Sequence, residues 1–235
     1  MRRRVAMVLC SALAMALLSG CGPAPAPGAL RVMALGDSIT EGSPRYPGYR
    51  PVLARLVQSS GYPVDFVGSS RWHRWCPPWP PGRLDLDHEG HWNWRIDQIL
   101  ARLPAWLDQA NPDVVLLHLG TNDLFKGEPR AQVVAEWMAV LDLLYAHNPE
   151  VIVLAACLIP SVGMEEDFRQ FNQALQAAWL RRTGPGPRVI WVDQFRGFDP
   201  DLHTWDGVHP NAAGAQKLAE RWWAALREVL AARAS

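Results

Sequence analysis

The chain is poor in cysteine and its N-terminal apolar segment is short, and both shortages narrow its class. Only 4 of its 235 residues are cysteine. The two that follow the first 21 residues, Cys76 and Cys157, lack the close spacing of a zinc site. They leave open a disulfide in an oxidising compartment. The apolar segment at 5–18 is shorter than the about 20 residues that a membrane-spanning helix needs.

An excess of positive charge is also absent. The full chain has 23 basic and 23 acidic residues. The first 21 residues contain three arginines and no acidic residue, so the remainder has 20 basic against 23 acidic residues and a net charge near −3. This balance gives no electrostatic reason to expect nucleic acid as a partner.

The first 21 residues have the organisation of a secretory signal, with basic "MRRR", an apolar segment and small residues in "LSGC". This ending resembles a bacterial lipobox. The resemblance implies that Cys21 is lipidated and that the protein is exported and membrane-anchored, on the periplasmic or cell-surface side. Residues 22–29, rich in proline and alanine, would then form an extended tether, and residues 30–235 one domain. A cleaved signal without lipid, and hence a secreted protein, stays open.

Short apolar segments alternate with helical patterns along residues 30–235. Five segments are typical of strands, and two of them are almost continuously apolar, as in strands buried on both faces of a parallel sheet: 31–35, 64–67, 113–119, 151–157 and 189–192. Helical patterns cover 49–59, 96–109, 131–147, 165–182 and the chain from Asn211. This alternation predicts a three-layer α/β/α sandwich around a five-stranded parallel sheet.

Polar motifs follow the first, third and last of these strands. They are "GDSIT" with Ser38, "GTND" with Asn122, and "WDGVHPN" with Asp206 and His209. Because ligands bind at the carboxyl ends of parallel strands, we expect the four side chains to meet at one edge of the sheet. A histidine can take the proton of a serine hydroxyl while an aspartate orients the imidazole. Taken singly, each residue is an ordinary turn, cap or surface residue.

These blocks resemble the SGNH (GDSL) hydrolase family over nearly the whole predicted domain. "DLDHEGHWNWRIDQIL" at 85–100 is similar to a segment of the acetylxylan-esterase-like branch, carbohydrate esterase family three. The resemblance implies the flavodoxin-like fold of that family, with Ser38 as the nucleophile and Asp206 and His209 as acid and base. It also implies an oxyanion hole formed by the Ser38 N–H, the Asn122 side-chain amide and a backbone N–H of the second block. It implies no cofactor.

The second block departs from the family pattern at one position. Where "GHWNW" aligns with the family's "GHxGW", Asn93 replaces the expected glycine. A backbone N–H donor requires no particular side chain, and asparagine is among the residues that best tolerate a positive φ. We therefore assign Asn93 as the third oxyanion donor, with Gly90 as the fallback.

The segment 68–94 has no periodicity and is rich in proline and tryptophan, a combination typical of a functional loop. Its tryptophans either pack the loop or form platforms for sugar rings, and Trp92, Trp94 and Trp205 are the candidates for substrate binding. The segment also contains four residues of metal-ligand type: His73, Cys76, His88 and His91. "HEGH" is one residue short of the zincin spacing, and the family resemblance accounts for the same stretch, so we predict no metal.

Together these features predict a serine esterase that hydrolyses short acyl esters, with acetyl groups on a carbohydrate alcohol as the favoured substrate. The preference for acetyl and carbohydrate follows from the resemblance. Two other functions stay open, namely a lipase or thioesterase of the same fold and a non-catalytic carbohydrate-binding lipoprotein.

Overall fold

The computed structural model describes residues 27–71 and 84–234. The predicted signal sequence, the lipidation site at Cys21 and most of the predicted tether lie outside these ranges. Cys157 is buried, whereas its candidate disulfide partner Cys76 is outside the described residues. His73 and three tryptophans of the long loop are outside them too: Trp72, Trp75 and Trp79.

A parallel sheet forms the centre of the fold. Its strands are β1 (Leu30–Gly36), β2 (Val64–Val67), β3 (Glu89–Gly90), β4 (Val114–His118), β5 (Ile152–Ala156) and β6 (Arg188–Val192). All pairings between them are parallel. The path through the sheet is β2-β1-β4-β5-β6, and β3 pairs with the end of β1. The predicted five-stranded parallel sheet is confirmed, and β3 is a sixth strand too short to give a sequence pattern.

Helices cover both faces of the sheet, which confirms the three-layer sandwich. One face is covered by α2 (Arg50–Ser60) and α9 (Ala212–Ala234), and the other by α3 (Ile96–Leu100), α4 (Leu103–Ala110), α6 (Arg130–His147) and α7 (Glu165–Leu180). Alternate residues of each central strand enter opposite cores, as Val115 and Val114 do in β4. Within the described ranges, no helix has both the length and the apolar composition needed to cross a membrane.

The helix predicted over 96–109 is wrong as a single element. The structure divides it into α3 and α4 at residues 101–102. Pro104, in the first turn of α4, has no N–H with which to continue the hydrogen bonding of α3, so the chain restarts there as a new helix. Three short helices were not predicted, and each follows a strand: α1 (Ser38–Glu41), α5 (Thr121–Phe125) and α8 (Pro200–His203).

The order of the strands brings two of the polar motifs together. The chain leaves β1 toward β2 on one side and leaves β4 toward β5 on the other, so the direction of winding changes between β1 and β4. These two strands are neighbours, and Gly36 at the end of β1 pairs with His118 at the end of β4. Such a switch point leaves a crevice beyond the strand ends, where α1 and α5 begin.

Arg50, at the start of α2, connects three backbone segments around this crevice. Its side chain is buried. Its Nε donates to the Thr40 carbonyl at 2.7 Å, one Nη to the Glu41 carbonyl at 2.8 Å and the other to the Leu86 carbonyl at 2.6 Å. Burial lowers the pKa of Arg50 to about 10, which leaves the guanidinium charged at neutral pH. The planar fork thus fixes the end of α1 against the segment that precedes β3.

Replacing Arg50 with lysine tests this clamp. A lysine ammonium cannot replace all three hydrogen bonds of the planar guanidinium. Each buried carbonyl left without a donor costs about 1–3 kcal/mol. We therefore expect Arg50→Lys to lower the free energy of unfolding by about 3 kcal/mol. Urea unfolding followed by circular dichroism measures the loss. Arg55→Lys, at an exposed position of the same helix, should change the value by less than about 0.5 kcal/mol. Equal losses in the two variants would contradict the clamp.

Candidate active site

Ser38 is the first residue of α1, in a sharp turn at the end of β1. The preceding residue, Asp37, caps the helix because its Oδ1 accepts the N–H of Ile39 at 2.9 Å. Gly36 has no space for a side chain, since a Cβ there would lie 2.2 Å from the Thr40 Oγ1 and 2.8 Å from the His118 carbonyl. The small residues of "GDS" therefore allow the turn to fold tightly against β4 and to present the serine.

Three of the predicted residues form a continuous chain of hydrogen bonds. His209 Nε2 lies 2.9 Å from Ser38 Oγ, and His209 Nδ1 lies 2.7 Å from Asp206 Oδ2. Asp206 Oδ1 accepts the backbone N–H of His209 at 2.7 Å. Partial burial of Asp206 raises its pKa, but the hydrogen bonds from the His209 backbone and ring outweigh burial and keep the pKa below its usual value. Asp206 is thus an ionised partner on the far side of the imidazole from the serine.

The loop that carries Asp206 and His209 is fixed at several points. Thr204 Oγ1 accepts the N–H of Gly207 at 2.8 Å, and the Gly207 carbonyl accepts from Ser161 Oγ at 2.7 Å. Asn211 donates its amide to the Thr204 carbonyl at 3.1 Å, and its Oδ1 caps α9. The helix predicted from Asn211 therefore begins one residue later, because Asn211 serves as its cap.

Aromatic rings lie parallel to the imidazole of His209. The Trp92 ring is 4.8 Å away at an interplanar angle of 11°, and the Trp205 ring is 5.7 Å away at 20°. Tyr46 stacks in turn on Trp205 at 5.3 Å. Trp94 differs from the other two candidates, because its indole stacks on His91 and packs against the core.

A cleft of about 210 Å³ opens beside the serine. The predicted residues Ser38, Trp92, Trp205 and His209 line it together with Ile39, Gly42, Ser43, Tyr46, Gly48 and Pro210. Part of this volume is open to solvent, and the rings of Tyr46, Trp92 and Trp205 are among its walls.

The three predicted oxyanion donors come from three separate segments. The side chain of Asn122, in α5, donates to the Trp94 carbonyl at 2.8 Å, which orients the amide and leaves its second hydrogen. Asn93 has a φ of 63°, the left-handed conformation that a glycine would supply. Among the described residues, the backbone N–H of Asn93 makes no hydrogen bond to a backbone carbonyl. The N–H of Ser38 is in the first turn of α1, where helical N–H groups have no partner within the helix.

Gly90, the fallback donor, has a different role. Its N–H donates to His88 Nδ1 at 2.9 Å, so it is already engaged. A Cβ at Gly90 would lie 2.5 Å from the Glu41 nitrogen. The glycine therefore allows β3 to approach α1.

His91, like His88, has contacts within the protein that account for its position in the long loop. His91 Nε2 lies 2.7 Å from Glu89 Oε1, and the ring stacks between Trp94 and Trp106 at 4.5 Å from each. Ser69 Oγ donates to the same glutamate oxygen at 2.7 Å. The contacts of His91 thus attach the second block to the sheet edge.

A buried acid and a buried histidine lie behind the nucleophile. Asp37 and His118 are both fully buried. Burial raises the pKa of Asp37 and lowers that of His118, and their proximity only partly offsets these shifts. Burial thus favours the neutral form of each of these two groups.

Glu41 is a site residue that the sequence analysis missed. Its buried side chain accepts the N–H of Trp92 at 2.5 Å, which anchors the segment that carries Asn93. The backbone of the same residue is held by Arg50. No sequence signal could have found it, because Glu41 and Trp92 are 51 positions apart and neither has a distinctive spacing.

The arrangement as a whole is suited to acyl transfer. A serine hydroxyl that contacts a carboxylate-oriented imidazole can lose its proton as it attacks a carbonyl carbon. The oxyanion that results can be stabilised by N–H donors aimed at it. Of the predicted residues, Ser38, Asp206 and His209 are joined by hydrogen bonds, whereas Asn93 and Asn122 do not line the cleft beside the serine.

Residues 34–217 match the GDSL-like Lipase/Acylhydrolase family. Among curated proteins, a multidomain esterase of Ruminococcus flavefaciens is 27% identical over an alignment of 249 positions, gaps included, that covers 90% of this chain and 31% of that protein. The chain thus spans about a third of the length of this relative.

Solved structures resemble the fold over most of the chain. A carbohydrate esterase family 3 protein from Talaromyces cellulolyticus has a TM-score of 0.75 and 31% identity, covering 86% of this chain and 98% of that one. An acetyl esterase variant solved with an acetate ion also has a TM-score of 0.75, with 30% identity and the same coverage of both chains.

The role of Glu41 can be tested by substitution. Glu41→Ala frees the N–H of Trp92 and loosens the segment that presents Asn93, so we expect kcat on p-nitrophenyl acetate to fall about 10- to 100-fold with little change in KM. Glu41→Gln keeps an acceptor oxygen and should recover a large part of the rate. Circular dichroism of both variants checks the fold. An Ala variant with unchanged kcat, or a Gln variant no better than Ala, would contradict this role.

Proposed function

Because the chain belongs to the GDSL-like lipase/acylhydrolase family of serine ester hydrolases, we propose that it hydrolyses short-chain acyl esters, above all acetyl esters of a carbohydrate alcohol. The observation that carries the proposal is the hydrogen-bond chain from Ser38 through His209 to Asp206, with distances of 2.9 and 2.7 Å. A protein that only bound sugars would have no need of this chain.

In the proposed reaction, Ser38 Oγ attacks the ester carbonyl carbon while His209 Nε2 takes its proton. Asp206 stabilises the imidazolium that forms. The C–O bond to the alcohol then breaks, and His209 returns the proton to the leaving oxygen. Water, deprotonated by His209, attacks the acyl-enzyme in the same way and releases the acid and free Ser38. The reaction uses no cofactor.

The negative oxygen of each tetrahedral intermediate is assigned to three donors. They are the N–H of Ser38, the N–H of Asn93 and the second amide hydrogen of Asn122. Loss of one such donor typically slows acyl transfer by about 10²- to 10³-fold. The left-handed backbone of Asn93 and the contact from Asn122 to Trp94 support this assignment.

Two observations support a short acyl group. The cleft beside Ser38 is small, and its walls include the rigid rings of Tyr46, Trp92 and Trp205. The solved relatives include an acetyl esterase with an acetate ion, whose name describes that protein. A long acyl chain would require a longer apolar channel than this cleft offers.

A carbohydrate alcohol is favoured by the rings at the mouth of the cleft. Trp205 is 44% exposed and lies nearly parallel to both Tyr46 and His209. An exposed flat ring next to the nucleophile can stack on a sugar ring while the ester reaches Ser38. The name of the Talaromyces relative, a carbohydrate esterase, points in the same direction.

The test is a series of p-nitrophenyl esters from acetate to decanoate, with Ser38→Ala as the control. We expect kcat/KM to be highest for acetate and to fall with chain length, and Ser38→Ala to lose about 10³-fold or more. A maximum at long chains would favour a lipase or thioesterase. Activity no higher than that of the Ser38→Ala variant on every ester would favour a sugar-binding protein.

The backbone of Asn93 provides a second test. Asn93→Gly should keep or raise kcat, because glycine adopts the same φ and retains the N–H. Asn93→Val should lose about 10²-fold, since a β-branched residue disfavours a positive φ. The matched control is Asn111→Val, at a described non-glycine residue with positive φ, 38°, away from the cleft. It should lower stability and leave kcat unchanged, and equal rates for all three variants would remove Asn93 from the oxyanion hole.

A further inference from the structure

Three carboxylates converge beside α5, and one of them belongs to the residue that follows Asn122. They belong to Asp123 in α5, Glu128 in the turn after it and Glu136 in α6. One oxygen from each lies within 4.8 Å of the corresponding oxygens of the other two. Three negative groups at this separation repel one another unless a proton or a cation lies between them.

Positive charge near the cluster is insufficient to balance it. Arg95 Nε lies 2.8 Å from Glu128 Oε1, but the same guanidinium also binds both oxygens of Asp97, at 3.1 and 2.8 Å. Arg130 pairs with Asp167 at 3.7 Å. One guanidinium is therefore shared by two carboxylates, and Asp123 and Glu136 have no ion-pair partner among residues 27–71 and 84–234.

Unpaired oxygens provide a second, independent observation. Asp123 is fully buried, and its Oδ1 accepts the N–H of Ile96 at 3.0 Å. Its Oδ2 has no hydrogen-bond donor within the described part of the chain. The same holds for the buried Oε2 of Glu136, whose Oε1 accepts from Gln132 at 2.9 Å. A buried carboxylate oxygen without a donor is costly and needs a partner.

The geometry points to a divalent cation site formed by Asp123, Glu128 and Glu136, with Ca²⁺ as the ion that fits best. Ca²⁺ takes only oxygen ligands at about 2.3–2.6 Å, so two of its ligands lie at most about 5 Å apart. The separations, all below 4.8 Å, are compatible with this limit. Mg²⁺ usually keeps several waters and only one or two carboxylates, whereas Ca²⁺ accepts several protein carboxylates in a flexible shell, so a set of three carboxylates favours Ca²⁺.

Such an ion would join three segments of the sandwich. Asp123 follows Asn122 directly, and through the Ile96 N–H it contacts the start of α3, which comes just after the Trp92–Trp94 segment. Glu136 adds α6. The site would therefore hold α5 against α3 and α6 and stabilise the fold, whether or not the protein has esterase activity.

Calcium binding and thermal unfolding of the full-length protein, freed of metal by chelation and dialysis, test the site without any substrate. We expect calorimetric titration with CaCl₂ to give one site per chain and MgCl₂ to bind more weakly. At about 100 times the Kd, Ca²⁺ should raise the unfolding temperature by about 5 °C or more. Glu136→Gln and Glu128→Gln should each weaken Ca²⁺ binding at least tenfold and reduce the shift in proportion.

Glu228→Gln, which changes an exposed glutamate of α9, is the matched control and should bind Ca²⁺ as the unmodified protein does. Three results would overturn the site. These are no heat and no thermal shift with either ion, equal affinity in the cluster variants and the control, and tighter binding of Mg²⁺ than of Ca²⁺. Because no ester is used, these outcomes are independent of those for the proposed esterase.

Discussion

The close approach of backbone segments at the end of β1 is the constraint on which the site depends. Gly36 and Gly90 lie where side chains would collide with Thr40, His118 and Glu41. Without a Cβ at these positions, α1 can sit directly against the ends of β3 and β4. The serine, the second block and the α5 turn are thereby brought together. Any residue larger than glycine at Gly36 would push α1 away from the sheet and move Ser38 with it.

Two buried charged residues stabilise this close packing of α1 against its neighbouring segments. Arg50 binds carbonyls of α1 and of the segment before β3, and Glu41 binds the N–H of Trp92. Both act on the backbone, so their contribution does not depend on the identity of the residues that they hold. This explains how asparagine can occupy position 93, where the sequence resemblance predicts a glycine. The peptide group is fixed by neighbours, and the asparagine only has to accept the left-handed conformation.

The polar groups are distributed so that the reactive ones face the cleft. Asp37 and His118, behind the nucleophile, are shifted by burial toward neutrality, whereas hydrogen bonds from His209 favour the ionised form of Asp206. The rings of Trp92 and Trp205 stack against the imidazole of His209. Solved relatives at about 30% identity share this fold over 86% of the chain.

The sequence alone determined the parallel sheet and the three layers, and its motifs indicated Ser38, Asn122, Asp206 and His209 as residues that follow strand ends. Hydrophobic periodicity and motif position are local signals, and the carboxyl ends of parallel strands must share an edge. Only the tertiary structure decided the division of 96–109 into two helices and the engagement of Gly90 by His88. It also decided the separation of Trp94 from Trp92 and Trp205, the anchoring by Glu41, and the convergence of Asp123, Glu128 and Glu136. Most of these features depend on contacts between groups that are distant in the sequence. A local residue pattern does not indicate such contacts, as the hydrogen bond between Glu41 and Trp92, 51 positions apart, illustrates.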